Sequence, residues 1–196
     1  MRAKRYSHRC RHLTMCREEK ALLRKKWSNI RNNIENREQK SREICKNALR
    51  HPAVLKAETV FAYLSFRSEP DTKFFIEELF RLGKRVAVPL CDVKTHTMEA
   101  VLLEDTGGLH IGAYGISEPD KTWQRISKSE IDVVIAPALA FDKEGYRLGY
   151  GAGYYDRFLK GFGGYAIGFA FSDCIAGRLP REKTDMKIDE IITEMR

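Results

Sequence analysis

The sequence lacks the features that mark membrane or secreted proteins. No apolar run approaches the roughly 18 residues of a membrane-spanning helix, and no apolar segment near the start marks a secretory signal. Internal repeats and low-complexity linkers are also missing. The chain has 196 residues, of which 43% are hydrophobic, so it can bury one core. We therefore expect a soluble, cytoplasmic protein with a single folded domain.

Cysteine and histidine are few and show no functional pattern. The five cysteines, an odd number, form neither a Cys-x-x-Cys pair nor a Cys/His metal spacing. Free thiols are therefore expected instead of a disulfide framework or a zinc site. The five histidines are scattered without a partner pattern, so the sequence gives none of them a catalytic role.

Acidic residues are absent from positions 1–16, which carry five of the basic ones. The formal net charge is +8, but the remainder holds 30 basic against 27 acidic residues, or +3. We therefore expect residues 1–16 to be a disordered basic tail, or an extension before a working start at Met15, and residues 17–196 to be the folded domain. The alternative is a tail that contacts RNA or a membrane surface.

Helix-like and strand-like segments alternate along most of the chain. Residues 18–49 favour helix, and the asparagines at 32, 33 and 36 predict a break into two helices. Asp71 is a candidate N-cap of a later helix that ends at Gly83. Strands are predicted over 59–63, 85–89, 98–102, 133–136, 165–169 and 188–193, a helix over 153–159, and a long connection over 104–129. This order predicts a three-layer α/β domain with a mostly parallel, open sheet flanked by helices.

Glycine is concentrated in one segment, Arg147-Leu148-Gly149-Tyr150-Gly151-Ala152-Gly153-Tyr154-Tyr155-Asp156-Arg157. It lacks the Gly-Lys-Ser/Thr end of a Walker loop and the spacing of a dinucleotide-binding loop. It follows the apolar run 133–136 and so is expected at the carboxyl end of a strand, where α/β sheets bind ligands. Alternate glycines expose N–H groups to an anion, and Asp156 would suit a divalent cation beside phosphates. A turn used only for tight packing is the alternative.

An apolar stripe with a period of 3.6 residues runs along the first predicted helix. Its members are Leu22, Leu23, Trp27, Ile30 and Ile34. The stripe leaves Lys20 and Arg24 together on one side of the helix. By itself such a cationic pair is ordinarily a solvated face.

Five separated motifs follow one another in a recognisable order. They are Lys20-Ala21-Leu22-Leu23-Arg24, Tyr63-Leu64-Ser65 with Glu69, Gly115-Ile116-x-Glu118-Pro119, Asp142-Lys143-Glu144-Gly145 with the glycine segment, and Asp185-Met186-Lys187-Ile188-Asp189-Glu190. Together they cover most of the chain and resemble the 5-formyltetrahydrofolate cyclo-ligases, also called methenyltetrahydrofolate synthetases.

The resemblance implies ATP-dependent conversion of 5-formyltetrahydrofolate to 5,10-methenyltetrahydrofolate. ADP and phosphate are released, and the reaction passes through a phosphorylated formyl intermediate. ATP as co-substrate and Mg²⁺ are then required. The expected form is a monomer that binds folate and ATP, with no nucleic-acid or membrane partner.

The resemblance also assigns roles to residues. The implied ATP contacts are Lys20, Arg24, Arg147, Leu148, Gly149, Tyr150, Gly151, Ala152, Gly153, Tyr154 and Tyr155. The implied folate contacts are Leu64, Glu69, Tyr150, Gly151, Ala152, Gly153 and Tyr154. Asp156 and Asp185 are the implied metal ligands, and the implied catalytic residues are Arg147, Tyr154 and Asp156.

From local sequence alone, several of these residues have simpler explanations. Glu69 reads as a surface acid before a proline turn, Leu64 as a core residue and Asp185 as a solvated acid. Two other functions also stay open. One is a sugar-phosphate isomerase-like enzyme that uses the glycine segment without ATP, and the other is a non-catalytic paralogue that binds nucleic acid through its basic tail.

Overall fold

The computed structural model describes residues 4–104, 109–111, 117–119 and 122–195, with the side chains of residues 18–104, 109–110, 119 and 122–195. The helices are α1 (Lys4–Asn32), α2 (Arg37–Leu49), α3 (Pro52–Lys56), α4 (Lys73–Arg81) and α5 (Tyr154–Leu159). None of these described helices has both the length and the apolar composition needed to cross a membrane.

The break between α1 and α2 falls at the asparagines that predicted it. Asn36 precedes α2 with a left-handed backbone, φ 54°, which asparagine tolerates better than most residues. The two-helix prediction for residues 18–49 is therefore confirmed. The helix α1 also takes in residues 4–16, for which the sequence predicts a disordered tail. The domain boundary after residue 16 stays a prediction.

A seven-stranded sheet forms the centre of the fold. The strands within the described residues are β1 (Thr59–Phe61), β2 (Arg85–Asp92), β3 (Thr97–Leu102), β4 (His110–Ile111), β5 (Ser117–Glu118), β6 (Arg125–Ile126), β7 (Val133–Ala136), β8 (Ala140–Asp142), β9 (Arg147–Leu148), β10 (Tyr165–Phe169), β11 (Ile175–Ala176) and β12 (Glu190–Ile192). The main sheet has the order β12-β10-β7-β1-β2-β3-β6. Neighbours from β12 to β2 are parallel, and β3 and β6 add an antiparallel edge. The predicted mostly parallel α/β fold is confirmed.

The two faces of the sheet are buried against different helices. Along β7, Val133 and Ile135 join the apolar cluster that contains the buried residues of α2 and α4. Val134 and Ala136 join the opposite cluster, which contains the buried residues of α5. Because side chains alternate along a strand, a strand buried on both faces reads as a continuous apolar run. The helices on both faces give the domain its three layers.

A small second sheet separates β7 from the glycine segment. Its order is β11-β8-β9, so the glycine segment begins with β9, and its loop follows β9 instead of the strand 133–136 as predicted. The turn between β8 and β9 forms because Asp142 Oδ1 accepts two N–H groups of the turn, each at 3.0 Å. Gly145 in this turn has φ 89°, and a Cβ there would lie 2.6 Å from the carbonyl oxygen of Ile188. Turn chemistry therefore inserts a hairpin that the apolar pattern did not reveal.

Several predicted boundaries differ slightly from the structure, among them the end of β1, both ends of β12, the start of α4 and the end of β2. Thr72 is the N-cap of α4, although Asp71 Oδ1 still accepts the N–H of Lys73 at 2.9 Å. The predicted strand over 85–89 extends to Asp92 because it pairs with β3 along its whole second half. Gly83 follows the end of α4 with φ 71°, as expected for a helix terminator.

Asp142 also anchors the small sheet to the carboxy-terminal segment. Its carboxylate is fully buried, and Oδ2 accepts the N–H of Leu179 at 3.1 Å and Arg181 Nη2 at 3.0 Å. Burial alone would raise the pKa of Asp142, but these donors and those of the turn outweigh it and lower the pKa. The ionised form is therefore favoured in the folded state, so it stabilises the fold above the unfolded pKa near 3.9 and loses this effect as pH falls through the folded pKa.

We expect Asp142→Asn to lower the free energy of unfolding by about 2 kcal/mol at pH 7, because an amide cannot accept from all the donors that this carboxylate holds, and hydrogen bonds to charged groups contribute about 1.5–3 kcal/mol. Urea unfolding at several pH values measures this, and the difference from the parent protein should shrink below about pH 4. Glu144→Gln is the matched control, because Glu144 pairs with the same arginine but its side chain is 52% exposed. Equal losses in the two variants at pH 7 would contradict the assignment.

Candidate active site

The connections from two adjacent strands diverge at the centre of the sheet. β1 leads through α4 to β2 on one side, and β7 leads through α5 to β10 on the other. The crevice at the carboxyl ends of β1 and β7 is therefore a topological switch point, where open α/β sheets bind ligands. The turn that holds Glu69 follows β1, and Ala138 follows β7.

The helix α1 contributes cationic side chains that are drawn inward. Lys20, Arg24, Trp27 and Arg31 are spaced four, three and four residues apart, so they share one face. Lys20 is 8% exposed and Arg31 is 1% exposed. The predicted apolar stripe is wrong at Leu22, which is 69% exposed. The reason is that carbonyl and carboxylate acceptors on the opposing loops bind the cations, which rotates the buried face of α1 toward them.

The glycine segment closes around the guanidinium of Arg24. Arg24 Nε donates to the carbonyl oxygen of Gly149 at 2.9 Å. Gly151 has φ 108°, and a Cβ there would lie 3.2 Å from the Arg24 guanidinium. Gly153 has φ 71°, and its Cβ would lie 2.9 Å from Arg157 Nη1. Both positions therefore require glycine, and one of the two predicted cations of α1 lies directly against the loop.

Arg147 and Asp156 form an ion pair at the base of the loop. Arg147 Nη2 donates to Asp156 Oδ1 at 2.8 Å, and Nη1 donates to the carbonyl oxygen of Met186 at 2.8 Å. The N–H of Met186 donates to the same oxygen of Asp156 at 3.0 Å. Burial lowers the pKa of Arg147, although Asp156 opposes the change. Among the described residues, no donor contacts Asp156 Oδ2, which leaves one oxygen for a ligand.

Lys20 and Asp185 form a second ion pair beside the first. Lys20 Nζ lies 2.7 Å from Asp185 Oδ2 and 3.5 Å from Glu182 Oε1. The N–H of Glu182 also donates to Asp185 Oδ2 at 2.8 Å. Asp185 immediately precedes Met186, which contacts Asp156, so the structure brings the two predicted metal carboxylates into one region. Within the described part of the chain, no three His, Cys, Asp or Glu side chains form a metal-binding group.

Glu69 is buried at the edge of the switch-point crevice. Glu69 is only 9% exposed, so its interpretation as a surface acid is wrong. Oε2 accepts the N–H of Phe66 at 3.0 Å, which closes the turn after β1. Burial raises the pKa of Glu69 to about 7, although Arg31 and the Phe66 N–H oppose the rise. Leu64, in the same connection, is half-buried and packs against the main core.

The tyrosines of the glycine segment lie in three different environments. Tyr150 is 47% exposed, and its hydroxyl accepts a hydrogen bond from Arg31. Tyr154 packs edge-on against His96, with ring centroids 6.1 Å apart. Tyr155 packs against both core clusters, and its buried hydroxyl has no hydrogen-bond partner among the described residues.

The other two residues of the segment differ in burial. Leu148 is only 2% exposed, so its side chain belongs to a core cluster and only its backbone could contact a nucleotide. Ala152 is exposed, and its carbonyl oxygen accepts Arg157 Nη2 at 2.5 Å. Arg157 also donates to the carbonyl oxygen of His96. The loop is thus fastened to the turn between β2 and β3.

Sequence reasoning missed Arg31 and the contact between Arg157 and His96. The signal for Arg31 was its position seven residues after Arg24, on the same helical face. The contact with His96 had no sequence signal, because it joins residues 61 positions apart through a backbone carbonyl.

Comparison with known proteins places these residues in a family. Residues 16–194 match the family model described as the 5-formyltetrahydrofolate cyclo-ligase family. An Escherichia coli (strain K12) protein named 5-formyltetrahydrofolate cyclo-ligase is 32% identical over 164 residues, which cover 81% of this chain and 90% of that protein. A protein of the same name from Mus musculus is 29% identical over 172 residues, covering 82% and 85%.

A solved structure agrees with the sequence matches. The NMR structure of 5,10-methenyltetrahydrofolate synthetase from Aquifex aeolicus has a TM-score of 0.79 to this chain and 34% sequence identity, and the match covers 90% of each chain. The family model spans nearly the whole chain, and it includes the glycine segment and both ion pairs. The chain therefore belongs to the 5-formyltetrahydrofolate cyclo-ligase family.

Proposed function

We propose that this chain uses ATP and Mg²⁺ to convert 5-formyltetrahydrofolate into 5,10-methenyltetrahydrofolate, releasing ADP and phosphate. The observation that carries the proposal is the contact of the glycine segment with two cations of α1, Arg24 and the buried Arg31, at the switch point, in a chain of this family. Arg24 lies against the backbone that glycine keeps open, Arg147 begins the same segment, and the buried Lys20 shares the helical face of Arg24. Such a site suits a polyphosphate.

The proposed chemistry needs no nucleophile from the protein. The formyl oxygen attacks the γ-phosphorus of ATP, the bond to ADP breaks, and a phosphorylated formyl intermediate forms. N10 then attacks the formyl carbon and loses its proton, and phosphate leaves as the ring closes. Both nucleophiles belong to the substrate, so the protein acts by proximity and electrostatic stabilisation.

The cations and the glycine segment are the proposed ATP site. Lys20, Arg24 and Arg147 would contact phosphate oxygens as charged donors. Lys20 and Arg147 are paired with Asp185 and Asp156 in the free protein. Phosphate oxygens of a bound nucleotide would therefore either replace these aspartates as partners of Lys20 and Arg147 or bind beside them. In either case the guanidinium and ammonium groups are held in place before the anion arrives.

Asp156 and Asp185 fit the magnesium site that the proposal requires. Mg²⁺ typically binds one or two protein carboxylates and completes its octahedron with water and substrate phosphates. Each aspartate has one carboxylate oxygen that accepts no hydrogen bond from the described residues. These oxygens are Oδ2 of Asp156 and Oδ1 of Asp185. When bound, Mg²⁺ neutralises charge on the transferring phosphoryl group.

Glu69 and Leu64 are the proposed folate contacts, together with residues 150–154 of the glycine segment. Glu69 Oε1 has no donor among the described residues and could accept pterin N–H groups. The half-buried Leu64 offers apolar surface beside it. Folate would then lie between the turn after β1 and the glycine segment, which brings its formyl group toward the phosphates.

The direct test mixes the protein with 5-formyltetrahydrofolate, ATP and Mg²⁺ and follows the absorbance of methenyltetrahydrofolate. We expect Asp156→Asn to lower kcat/KM by roughly 100-fold, the scale of losing one electrostatic group in an active site, and to raise the half-saturating Mg²⁺ concentration. Asp173→Asn is the matched control, because Asp173 pairs with Lys40 outside the site. Thermal melts separate lost turnover from lost folding. No methenyl product from the parent protein would refute the proposed function.

We expect Glu69→Gln to lower kcat/KM for 5-formyltetrahydrofolate about 10- to 100-fold, because a charged acceptor is lost, and to leave ATP binding unchanged. In the parent protein, kcat/KM should fall as pH drops through about 7, where Glu69 takes up a proton. The glutamine variant should lack this fall. Glu78→Gln is the control, because Glu78 lies in α4 and pairs with the exposed Arg81 instead of facing the site. An equal loss of ATP affinity would place Glu69 outside the folate site.

Deletion of residues 1–16 should leave ATP-dependent cyclisation nearly unchanged, because the proposed site begins at Lys20 and the family match begins at residue 16. Steady-state kinetics of the shortened and full-length proteins measure this. A truncated protein that melts normally but has lost activity would assign the basic segment to the site.

A further inference from the structure

Among the side chains that the structure describes, Arg31 is the largest that is almost completely buried. Its residue is 1% exposed, and the side chain leaves α1 in its last turn. Arg31 Nε donates to Ser68 Oγ at 3.1 Å, and Nη1 donates to the carbonyl oxygen of Ala138 at 2.8 Å. Nη2 donates to the hydroxyl of Tyr150. Ser68 Oγ in turn donates to Asn32 Oδ1 at 2.6 Å.

The three acceptors of Arg31 come from the three segments that meet at the switch point. Ser68 belongs to the turn after β1 and is the neighbour of Glu69. Ala138 follows β7, and Tyr150 lies in the glycine segment. A planar guanidinium with a fixed fork can bind three such acceptors at once, whereas an ammonium group cannot match this geometry.

All three acceptors are neutral, which is unusual for a buried cation. In the described part of the chain, no carboxylate oxygen lies within 4.0 Å of the Arg31 guanidinium. Burying a charge is costly when no carboxylate contacts it. The bond from this buried cation to Tyr150 is the one that reaches the glycine segment.

We propose that Arg31 is a positioning residue that fixes the glycine segment, through Tyr150, relative to the turn that carries Glu69. This inference rests on the proposed function, because it makes Arg31 set the distance between the phosphate-binding loop and the folate acceptor. Tyr150 is 47% exposed, and its bond to Arg31 joins this part of the loop to the turn after β1, whereas the carbonyls of Gly149 and Ala152 are held by Arg24 and Arg157. A misplacement of about 1 Å between reacting groups can cost 100-fold in rate.

The charge of Arg31 has a second effect, on Glu69. Arg31 is the charged group that lowers the pKa of Glu69 against the rise caused by burial. The other titratable groups facing this carboxylate are the hydroxyls of Tyr63, Tyr150 and Tyr155, from the connection after β1, the glycine segment and α5. They are neutral at neutral pH, so removing Arg31 leaves the carboxylate without its stabilising charge.

Four variants separate the geometric role of Arg31 from its charge. Arg31→Met removes the fork and the charge, Arg31→Lys keeps only the charge, and Tyr150→Phe removes the acceptor on the loop. Arg81→Met is the control, because Arg81 lies on the surface of α4 with a side chain 72% exposed. Tyr150→Phe removes only one hydroxyl from a half-exposed side chain, so it tests the bond even if the buried variants fold poorly.

We expect Arg31→Met and Arg31→Lys to lower kcat about 10- to 100-fold with a small change in KM for ATP. Tyr150→Phe should lower kcat as well, and the Arg31→Met/Tyr150→Phe double variant should be no slower than Arg31→Met, because the hydroxyl has already lost its donor. The pH at which kcat/KM for 5-formyltetrahydrofolate begins to fall on acidification should be higher in Arg31→Met than in the parent protein. It should be unchanged in Arg31→Lys. Multiplicative losses in the double variant would overturn the proposal.

Hydrogen exchange of the ligand-free proteins tests the same bond without catalysis. Amides of residues 149–153 should exchange faster in Arg31→Met and Tyr150→Phe than in the parent and Arg81→Met, while β10 stays protected in all four. Unchanged exchange in Tyr150→Phe would overturn the role of Arg31. An inactive parent protein with the expected exchange pattern would instead refute the proposed function and leave the bond in place.

Discussion

The burial of cationic side chains from α1 against backbone carbonyls is the interaction on which the site depends. Arg24 binds the carbonyl oxygen of Gly149, and Arg31 binds that of Ala138. These bonds hold a long helix across the carboxyl ends of the sheet and fix the loop that follows β9. An apolar face on α1 could bury as much surface, but it would satisfy none of these carbonyls and would present no charge to an anion.

Under the proposed function, the same arrangement would let the enzyme work without a nucleophilic side chain. The groups that converge are ammonium, guanidinium and carboxylate, together with backbone that glycine leaves open. Such groups bind and neutralise anions and orient reacting atoms, and they leave bond formation to the substrates. Two ion pairs, Lys20 with Asp185 and Arg147 with Asp156, keep the charges satisfied in the free protein.

Sequence patterns were reliable where one physical rule controls the residue. The apolar runs at β7 and β10 are buried on both faces of a parallel sheet, and the strand predictions for them are confirmed. Predictions from sequence patterns failed where two physical rules compete. Leu22 fits the apolar period of α1 but is exposed, because polar acceptors outside the helix decide which face turns inward. The hairpin β8–β9 was missed because turn contacts made by Asp142 created it.

The sequence by itself determined the fold class, the family and the glycine segment, because periodicity, loop glycines and ordered motifs are local properties of the chain. Only the tertiary structure decided which charged side chains are buried and which residues they contact. Arg31 reaches Ala138 across 107 positions, and Lys20 reaches Asp185 across 165. Glu69 changes from an apparent surface acid to a buried carboxylate with a raised pKa only when α1 and the glycine segment cover it. Burial and electrostatic environment are set by packing between distant segments, and no local pattern encodes them.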